Sequence, residues 1–429
     1  MHAGGMGEVL HKKIVRMVSR NVPLSIANNG KYSVEKVMDL FVQAAMDCTS
    51  VEDKANKNRL PLAPNKYPSG DTVLYHLEKL TPTAILKSFR RTNGLILGCA
   101  KVHGLLSGRK NLALDRTEVE YYGRVRDKWV VGGKHRNGTS YFYKFSTIDI
   151  VEDGRRFTLD ICSHTQFSET DEEVRYLIGS ASSWVSINTL FGDRAFAKIK
   201  TIRLLKDMGT YFVFALQTDS RLKPLSEERY RKSDYIFDHT MGSKKDNVEF
   251  TVFLVDNPKY DVEEACRIGK RYRVKRFHLF ATNLPVVQVR DDQWRPAKAL
   301  ANPYTRQIQA REKLADDYGS RWGIETDYRV EKNGFLAATT SNNYTVRLFY
   351  FCLSVLLRNF WELSKSIYGE DLDGIMESGY LSTEIWKELY LNDVRYSSYI
   401  ATISVLASFA FRSRSKEKRL LAEKLGIAR

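Results

Sequence analysis

The sequence predicts an α/β protein in which helices pack on one mixed β-sheet. Two observations support this fold class: the hydrophobic period changes near residue 110, and the elements after it follow a definite order. Before that point apolar residues recur at helical spacing. After it, "KNLALDRTEVEYYG", "TSYFYKFSTIDIVEDG" and "RRFTLDICSHTQ" are β-rich runs separated by turns such as Asn137-Gly138. A helix, a strand, another helix and another strand come next, which gives the order β-β-β-α-β-α-β.

The elements after the three runs have clear boundaries. "TDEEVRYLIGSASSW" predicts a helix and "INTLFGDRAF" a strand. "AKIKTIRLLKDMG" predicts a second helix that ends at Gly209, and "TYFVFALQT" a second buried strand. This succession, an antiparallel meander that passes into crossover units, is the core of the ribonuclease H-like fold. A fold of this kind does not by itself fix an activity.

The region before the sheet is predicted to be mostly helical. Ser33 is the expected N-cap of a helix in "SVEKVMDLFVQAAMDC". "YPSGDTVLYHLEKLTPTAILKSFRR" predicts two short helices, the second starting at Pro82 and ending in a basic cluster. Such a unit fits DNA docking, and a helical packing or dimerisation domain fits it nearly as well.

Composition favours a globular protein with a polyanionic partner. Apolar residues make up 43% of the 429 residues, and the net charge is +16. Lysine and arginine neutralise phosphates and release counterions, so this charge favours nucleic acid over an acidic lipid surface. The five cysteines are widely spaced, which argues against a zinc ribbon or a disulfide scaffold and fits a reducing compartment. The apolar stretch 344–363 contains two arginines and is predicted to be a buried helix, with no membrane span.

A charged segment, "YGSRWGIETDYRVEKNG", holds a tyrosine, an arginine, a glutamate and a lysine separated by two, three and six residues. These residues are Tyr318, Arg321, Glu325 and Lys332. In one helix they fall within an arc of about 60°, and Asn333-Gly334 supplies a stop just beyond them. Such a stripe is commonly a solvated face with weak ion pairs. A single acid among cations is also what a metal-dependent phosphate chemistry needs.

Two aspartates and this glutamate occupy the places where a ribonuclease H-like sheet holds catalytic acids. "NLALD" puts Asp115 in the first strand, "LFGD" ends the fourth strand at Asp193, and Glu325 follows on a later helix. Converging carboxylates in a core repel one another unless a divalent cation binds them. Their hard oxygen atoms suit Mg²⁺ or Mn²⁺, and two such ions can support an in-line phosphoryl displacement.

Each aspartate, taken singly, also fits an ordinary strand end or turn. Asp127, in the turn after the first strand, is a competing candidate. Asp149 and Asp160 compete as well, but they lie in the second and third strands, where no catalytic acid is expected. The joint pattern of three acids in the expected places favours the catalytic interpretation.

These residues resemble the DDE transposases of bacterial and archaeal insertion sequences, in the group with a Y-(2)-R-(3)-E-(6)-K motif. "LALDRTEVEYYG" is similar to that group's first-aspartate strand and "FGDRAF" to its second-aspartate segment, and the resemblance spans roughly residues 70–365. Its implied metal ligands are Asp115, Asp193 and Glu325. Its implied phosphate contacts are Arg321 and Lys332. The resemblance also implies that Tyr318 donates a hydrogen bond to the DNA backbone.

Two positions stand apart from this pattern. Arg116 follows the first aspartate, where a small residue is more common in the group. Trp294 lies 31 residues before Glu325, where some members use a tryptophan to hold a flipped base, although an aromatic residue there also fits the core.

Five segments are expected. They are a helical region with possible DNA-end binding (1–108), the first part of the catalytic core (109–220), a β-rich insertion (221–305), the core helices with the motif (306–365) and a basic helical C-terminal region (366–429). The resemblance implies a cut-and-paste transposase that acts with Mg²⁺ or Mn²⁺ on double-stranded DNA, both element ends and target. It implies a homodimer in a synaptic complex, in a prokaryotic cytoplasm near the nucleoid. A catalytically inactive DNA-binding descendant is the main alternative, and a stand-alone nuclease is a third.

Overall fold

The computed structural model of this chain describes most of the region between residues 15 and 372. The described residues are 15–27, 30–58, 67–125, 127–152, 156–268, 274–287, 309–319, 321 and 335–372. Within them, helices pack on one large mixed sheet, as the sequence predicts. The predictions for Trp294, Glu325 and Lys332, and for the chain beyond residue 372, lie outside the described residues.

The helices before the sheet begin where local capping signals place them. They are α1 (Val34–Met46), α2 (Val51–Asn58), α3 (Gly70–Glu78) and α4 (Pro82–Val102). The predicted cap Ser33 accepts a hydrogen bond from the Lys36 N–H at 3.3 Å. Ser69 and Thr81 cap α3 and α4 in the same way, and Pro82 opens α4. α4 is 21 residues long, so the second of the two predicted short helices continues well beyond the basic cluster.

The first six strands and two helices include all the elements predicted for the core, together with one further strand, β2. They are β1 (Arg109–Glu120), β2 (Val130–Arg136), β3 (Thr139–Ile150), β4 (Thr158–Ser163), α5 (Thr170–Ser182), β5 (Ser186–Gly192), α6 (Ile199–Asp207) and β6 (Phe212–Ala215). β1 pairs antiparallel with β3 and parallel with β5, and β5 pairs parallel with β6. β4 pairs with the second half of β3. Gly209 ends α6 with a φ of 62°, as predicted.

Strand β2 was not among the predicted elements. It pairs with the first half of β3 through the Asn137-Gly138 turn, whose φ angles are 48° and 80°. Its sequence contains Gly132-Gly133 and a polar end, and most of its side chains are exposed. A strand of this composition has weak intrinsic preference for the sheet, so its pairing with β3 determines its conformation.

The described part of the predicted insertion continues the core sheet. It contains α7 (Leu222–Arg231), β7 (Ile236–Gly242), β8 (Asn247–Asp256), α8 (Val262–Ile268), β9 (Phe277–Thr282) and β10 (Val286–Val287). β9 pairs antiparallel with β6, and the sheet continues through β8 to β7. The described part of this segment is therefore rich in strands and hydrogen-bonded to the core. β10 forms a separate pair with β11 (Gln309–Ala310).

The last described helices are α9 (Arg311–Gly319) and α10 (Tyr344–Leu372). α10 is buried along its first five turns, which confirms the prediction of a buried helix at 344–363. None of the helices in the described ranges combines the length and the apolarity that a bilayer crossing needs. Helices α1, α3 and α4 contact α10, so the N-terminal helices share its core. Their proposed role in binding DNA ends stays a prediction.

The basic cluster at the middle of α4 divides into two kinds of cation. Arg90 donates to both carboxylate oxygens of the buried Asp160 at 3.2 Å and thereby links α4 to β4. Lys87 and Arg91 are exposed on the same helix. The cluster therefore includes one structural arginine and two cations that face solvent.

A buried polar network joins α4, β4 and α10. Asn359 accepts from the Thr158 N–H at 2.9 Å and donates to the Thr158 carbonyl at 2.7 Å and to Asn93 Oδ1 at 2.8 Å. Asn93 donates to the Thr158 carbonyl at 3.0 Å. Both asparagines are almost fully buried, so their polar atoms are shielded from water and depend on these hydrogen bonds.

Replacing Asn359 by alanine is expected to lower the free energy of unfolding by about 2 kcal/mol or more, because the Thr158 N–H and the Asn93 amide lose buried partners. The matched control is Leu95→Ala on α4, where the side chain is 52% exposed. This control should change stability by less than about 1 kcal/mol. Chemical denaturation followed by circular dichroism measures both, and equal midpoints for the two variants would contradict the role of the network.

Candidate active site

The parallel pairing of β1 with β5 brings two predicted acids side by side. Leu114 pairs with Gly192, and the next residues along the two strands are Asp115 and Asp193. Adjacent strands lie about 4.8 Å apart, so the two aspartates occupy neighbouring positions at the carboxyl end of β5. Asp115 is 6% exposed and Asp193 is half-buried.

Local hydrogen bonds orient both carboxylates. Asp115 Oδ1 accepts from the Arg116 N–H at 2.9 Å. Asp193 Oδ1 accepts from the Ala195 N–H at 2.8 Å, and its carbonyl accepts from the Phe196 N–H at 3.1 Å. The segment after β5 is therefore a tight turn of the kind that aspartate favours. One oxygen of each carboxylate is fixed by backbone in this way.

Tyr318 and Arg321, from the charged segment, lie against this pair. Arg321 Nη1 is 3.4 Å from Asp115 Oδ2, and Arg321 Nε donates to the Tyr318 hydroxyl at 3.1 Å. The Tyr318 ring packs against Phe280, with centroids 4.8 Å apart. Burial raises the pKa of Tyr318; Arg321 opposes this, while the charges of Asp193 and Asp115 add to it. The structure thus brings four of the six predicted site residues together.

The prediction of one helix for the whole motif is wrong at Arg321. α9 ends at Gly319, and Arg321 lies in a turn in which its N–H donates to the Tyr318 carbonyl at 3.0 Å. Glycine has low helix propensity, which is consistent with an end at this position. The turn still keeps the tyrosine and arginine side chains in contact.

The competing aspartates have structural partners. Asp149 accepts from the hydroxyls of Thr147 and Thr158. Asp160 accepts from Arg90 and from the Tyr176 hydroxyl, the latter at 2.7 Å. Asp127 Oδ1 accepts from the Trp129 N–H at 2.9 Å in its turn. These contacts favour the structural interpretation of all three.

A buried ionic network beside Asp115 was missed from the sequence. Arg116 donates to Glu173 through Nη2 at 2.5 Å and Nε at 3.3 Å, and its guanidinium lies 4.7 Å from the Phe196 ring centroid. His164 Nε2 lies 3.3 Å from Glu173 and 2.6 Å from the Ser146 hydroxyl. Both contacts use the same ring nitrogen, so the arrangement is not a nucleophile–base–acid relay. The unusual residue after Asp115 was the sequence signal for this network.

The network keeps Glu173 ionised. Burial alone would raise the pKa of Glu173, but the hydrogen bonds and charges of His164 and Arg116 outweigh it and lower the pKa to about 2. Because Arg116 also contacts Phe196 in the turn after β5, the network connects α5, β1 and the Asp193 segment.

The aspartates open onto a cleft of about 920 Å³ between β2, the loop before α5 and the turn after β5. The cations among its lining residues are Arg116, Arg136, Lys144, Arg194 and Lys198. Lys144 and Arg136 also contact Glu118, at 2.8 and 3.4 Å. A cleft with two acids at its base and cations around it fits an anionic substrate near a metal ion.

The two carboxylates of Asp115 and Asp193 fit a hard divalent cation. Within the described ranges no group of three or more metal-ligating side chains occurs. Asp115 and Asp193 supply two neighbouring carboxylates, the ligand type that Mg²⁺ and Mn²⁺ prefer. The third predicted ligand, Glu325, lies outside the described residues.

A mixed sheet with two acids at one strand edge and a cationic cleft is the kind of site found in enzymes that act on phosphodiesters. The sequence matches the family model described as "Transposase DDE domain" over residues 107–359. This match covers more than half of the chain, which therefore belongs to the transposase DDE domain family.

Two further comparisons complete this result. No curated protein matches the sequence. The chain is similar to a solved cryo-EM structure of the piggyBac transposase synaptic complex with hairpin DNA, with a TM-score of 0.47 and 12% identity. That similarity covers 98% of this chain and 83% of the other.

Replacing Glu173 by glutamine is expected to lower the free energy of unfolding by about 3 kcal/mol, because Arg116 loses its buried partner. The folded pKa of Glu173 is about 2 and its ordinary value 4.5, so its carboxylate stabilises the protein fully above pH 4.5. That contribution disappears as the pH falls toward 2.

The measurement is urea denaturation of wild type and variant over this pH range. The exposed neighbour Glu172→Gln is the control and should cost less than about 0.5 kcal/mol. A difference between wild type and Glu173→Gln that stays constant down to pH 2 would contradict the assigned pKa.

Proposed function

We propose that this protein is a cut-and-paste DNA transposase with a ribonuclease H-like core. It binds the terminal inverted repeats of an insertion sequence, cleaves the strands and joins the 3′-hydroxyl ends to target DNA. The observation that carries this proposal is the register of β1 and β5, which puts Asp115 and Asp193 at neighbouring positions beside a cationic cleft. Membership of the transposase DDE domain family supports the same reaction class.

Asp115, Asp193 and Glu325 are the proposed ligands of Mg²⁺ or Mn²⁺, in a site for two ions. When bound, such ions activate a water or a 3′-hydroxyl and stabilise the leaving oxygen of an in-line displacement. The protein's part is orientation: backbone N–H groups hold one oxygen of each aspartate, which leaves the carboxylates pre-aligned.

Arg321, Lys332 and Tyr318 are the proposed contacts to the DNA backbone. Arg321 is 6% exposed and lies against Asp115, so its charge compensates that carboxylate in the free protein. A phosphate at the site would offer the guanidinium a second anionic partner with matching geometry. The Tyr318 hydroxyl accepts from Arg321 and retains its own proton for a phosphate oxygen.

The proposed partners are two element ends and a target duplex, held by a homodimer in a synaptic complex. The net charge of +16 supports binding to a polyanion of this kind. We place the reaction in a prokaryotic cytoplasm, at the nucleoid, from the resemblance to transposases of bacterial and archaeal insertion sequences.

Two other functions use the same fold. A DNA-binding descendant without catalysis has no physical need for two acids at neighbouring positions of adjacent strands, and Asp115 and Asp193 retain this arrangement. A stand-alone nuclease needs no large insertion, whereas here the insertion extends the sheet by three strands. Both observations favour the transposase.

Cleavage of a labelled duplex that carries the element's end tests the proposal. Wild-type protein should release a 3′-hydroxyl at the repeat boundary with Mg²⁺ or Mn²⁺ and not with EDTA. Asp193→Asn and Glu325→Gln should each reduce cleavage by at least about 10²-fold while end binding persists. The matched control Asp127→Asn keeps a side-chain oxygen for the Trp129 N–H and should cleave like wild type.

The outcomes separate the three functions. Specific binding without cleavage in either metal would favour the inactive descendant. Cleavage without joining to a target duplex would favour the nuclease. Normal cleavage by Glu325→Gln would remove that residue from the proposed ligands.

A further inference from the structure

A second cleft lies where the insertion joins the core sheet. It has a volume of about 460 Å³ and is formed by α7, the segment near Tyr260 and the start of β9. The cations among its lining residues are Lys223, Arg231, Lys275 and Arg276. One carboxylate, Glu227, lies among the same lining residues. We call this group of four cations and its surroundings the insertion cleft.

The insertion cleft carries an excess of positive charge, with four cations and one carboxylate. Within the described residues, none of its four cations forms an ion pair with a carboxylate, and all four are exposed. Other cations in α7 and at its end do have partners: Arg229 pairs with Asp234, and Lys232, just after the helix, pairs with Glu228 at 2.6 Å. Four like charges around one concavity repel one another, so an anionic ligand is favoured there.

The Tyr230 ring in the wall of the cleft already contacts other side chains. Tyr230 stacks on Phe277 with centroids 4.7 Å apart and an interplanar angle of 22°. The Arg276 guanidinium lies 4.8 Å from the Tyr230 centroid, and the Tyr230 hydroxyl donates to Asp256. Because Phe277 and Arg276 already contact the Tyr230 ring, the groups that the cleft offers to a nucleic acid are its cations, which suit a phosphate backbone.

The sheet topology aligns this cleft with the two aspartates. β6 runs parallel to β5, and β9 runs antiparallel to β6. The start of β9 therefore lies at the same edge of the sheet as the carboxyl end of β5, where Asp193 is found. The separation of β5 and β9 is two strand spacings, about 10 Å. A linear polyanion bound at the aspartates can continue along this edge.

We propose that the insertion cleft binds the phosphodiester backbone of duplex DNA and extends the track that begins at Asp115 and Asp193. This inference rests on the proposed function, because it assumes that DNA occupies the catalytic cleft. The contact is independent of base sequence, since it uses charge and not base edges. Its effect is to hold the duplex on the insertion side of the cleavage point.

The test is the salt dependence of binding to a labelled duplex of arbitrary sequence, measured by fluorescence anisotropy with the full chain. Lys275→Gln combined with Arg276→Gln should weaken binding and reduce the slope of log K against log salt by about one for each lost phosphate contact. Lys223→Gln combined with Arg231→Gln, on α7, is an independent pair with the same expected effect. Thermal unfolding shows whether each variant still folds. This matters most for Arg276→Gln, which removes the contact of the guanidinium with the Tyr230 ring.

A matched control lies in the same insertion. Lys244 and Lys245 are exposed in the turn between β7 and β8, at the opposite edge of the sheet. Their double replacement by glutamine makes the same change in net charge and should leave the slope unchanged. Wild-type slopes in both cleft variants, or an equal loss in the control, would overturn the cleft assignment while leaving the transposase proposal intact. No binding of DNA by the wild type would instead count against the proposed function.

Discussion

The in-register parallel pairing of β1 with β5 is the constraint on which the candidate site depends. Side chains alternate along a strand, so a slip of one residue would move Asp115 to the opposite face of the sheet. Pairing with β3 along the other side of β1, from Leu112 to Glu120, prevents such a slip. The apolar core that surrounds these strands therefore determines where the two carboxylates meet.

Ion pairs neutralise the charged side chains of β1 near its pairing with β5. Asp115 lies against Arg321, and the next residue, Arg116, reaches Glu173 on α5. Two successive residues of β1, Asp115 and Arg116, thus carry opposite charges, and each forms an ion pair with a residue from another part of the chain. Both acids are buried, and an unpaired buried carboxylate would cost several kcal/mol. These ion pairs therefore hold Asp115 and Glu173 in place in the protein without any ligand.

Local sequence signals were sufficient for the order of the core elements, the Ser33 cap and the Asn137-Gly138 turn. The proximity of Asp115 and Asp193 was also expected, because the predicted fold holds acids in its first strand and at the end of the strand that contains "LFGD". Strand β2, the continuity of the insertion with β6, and the contact of Arg116 with Glu173 did not follow. β2 was missed because its glycine-rich, polar sequence has a weak preference for a strand, whereas the last two depend on contacts between distant segments, which no local pattern records. The Arg321 contact with Asp115 belongs to the same class.

The insertion is continuous with the core sheet, so it cannot be removed as an independent module. Strand β9 covers the backbone N–H and C=O groups of β6 that would otherwise form an open sheet edge. Removing the insertion would uncover an apolar, unpaired strand beside the two acids, with a strong tendency to pair with other chains. The insertion is therefore an integral part of the sheet: a change in one of its turns, such as residues 243–246, leaves the strand pairing intact, whereas the loss of β9 would expose β6.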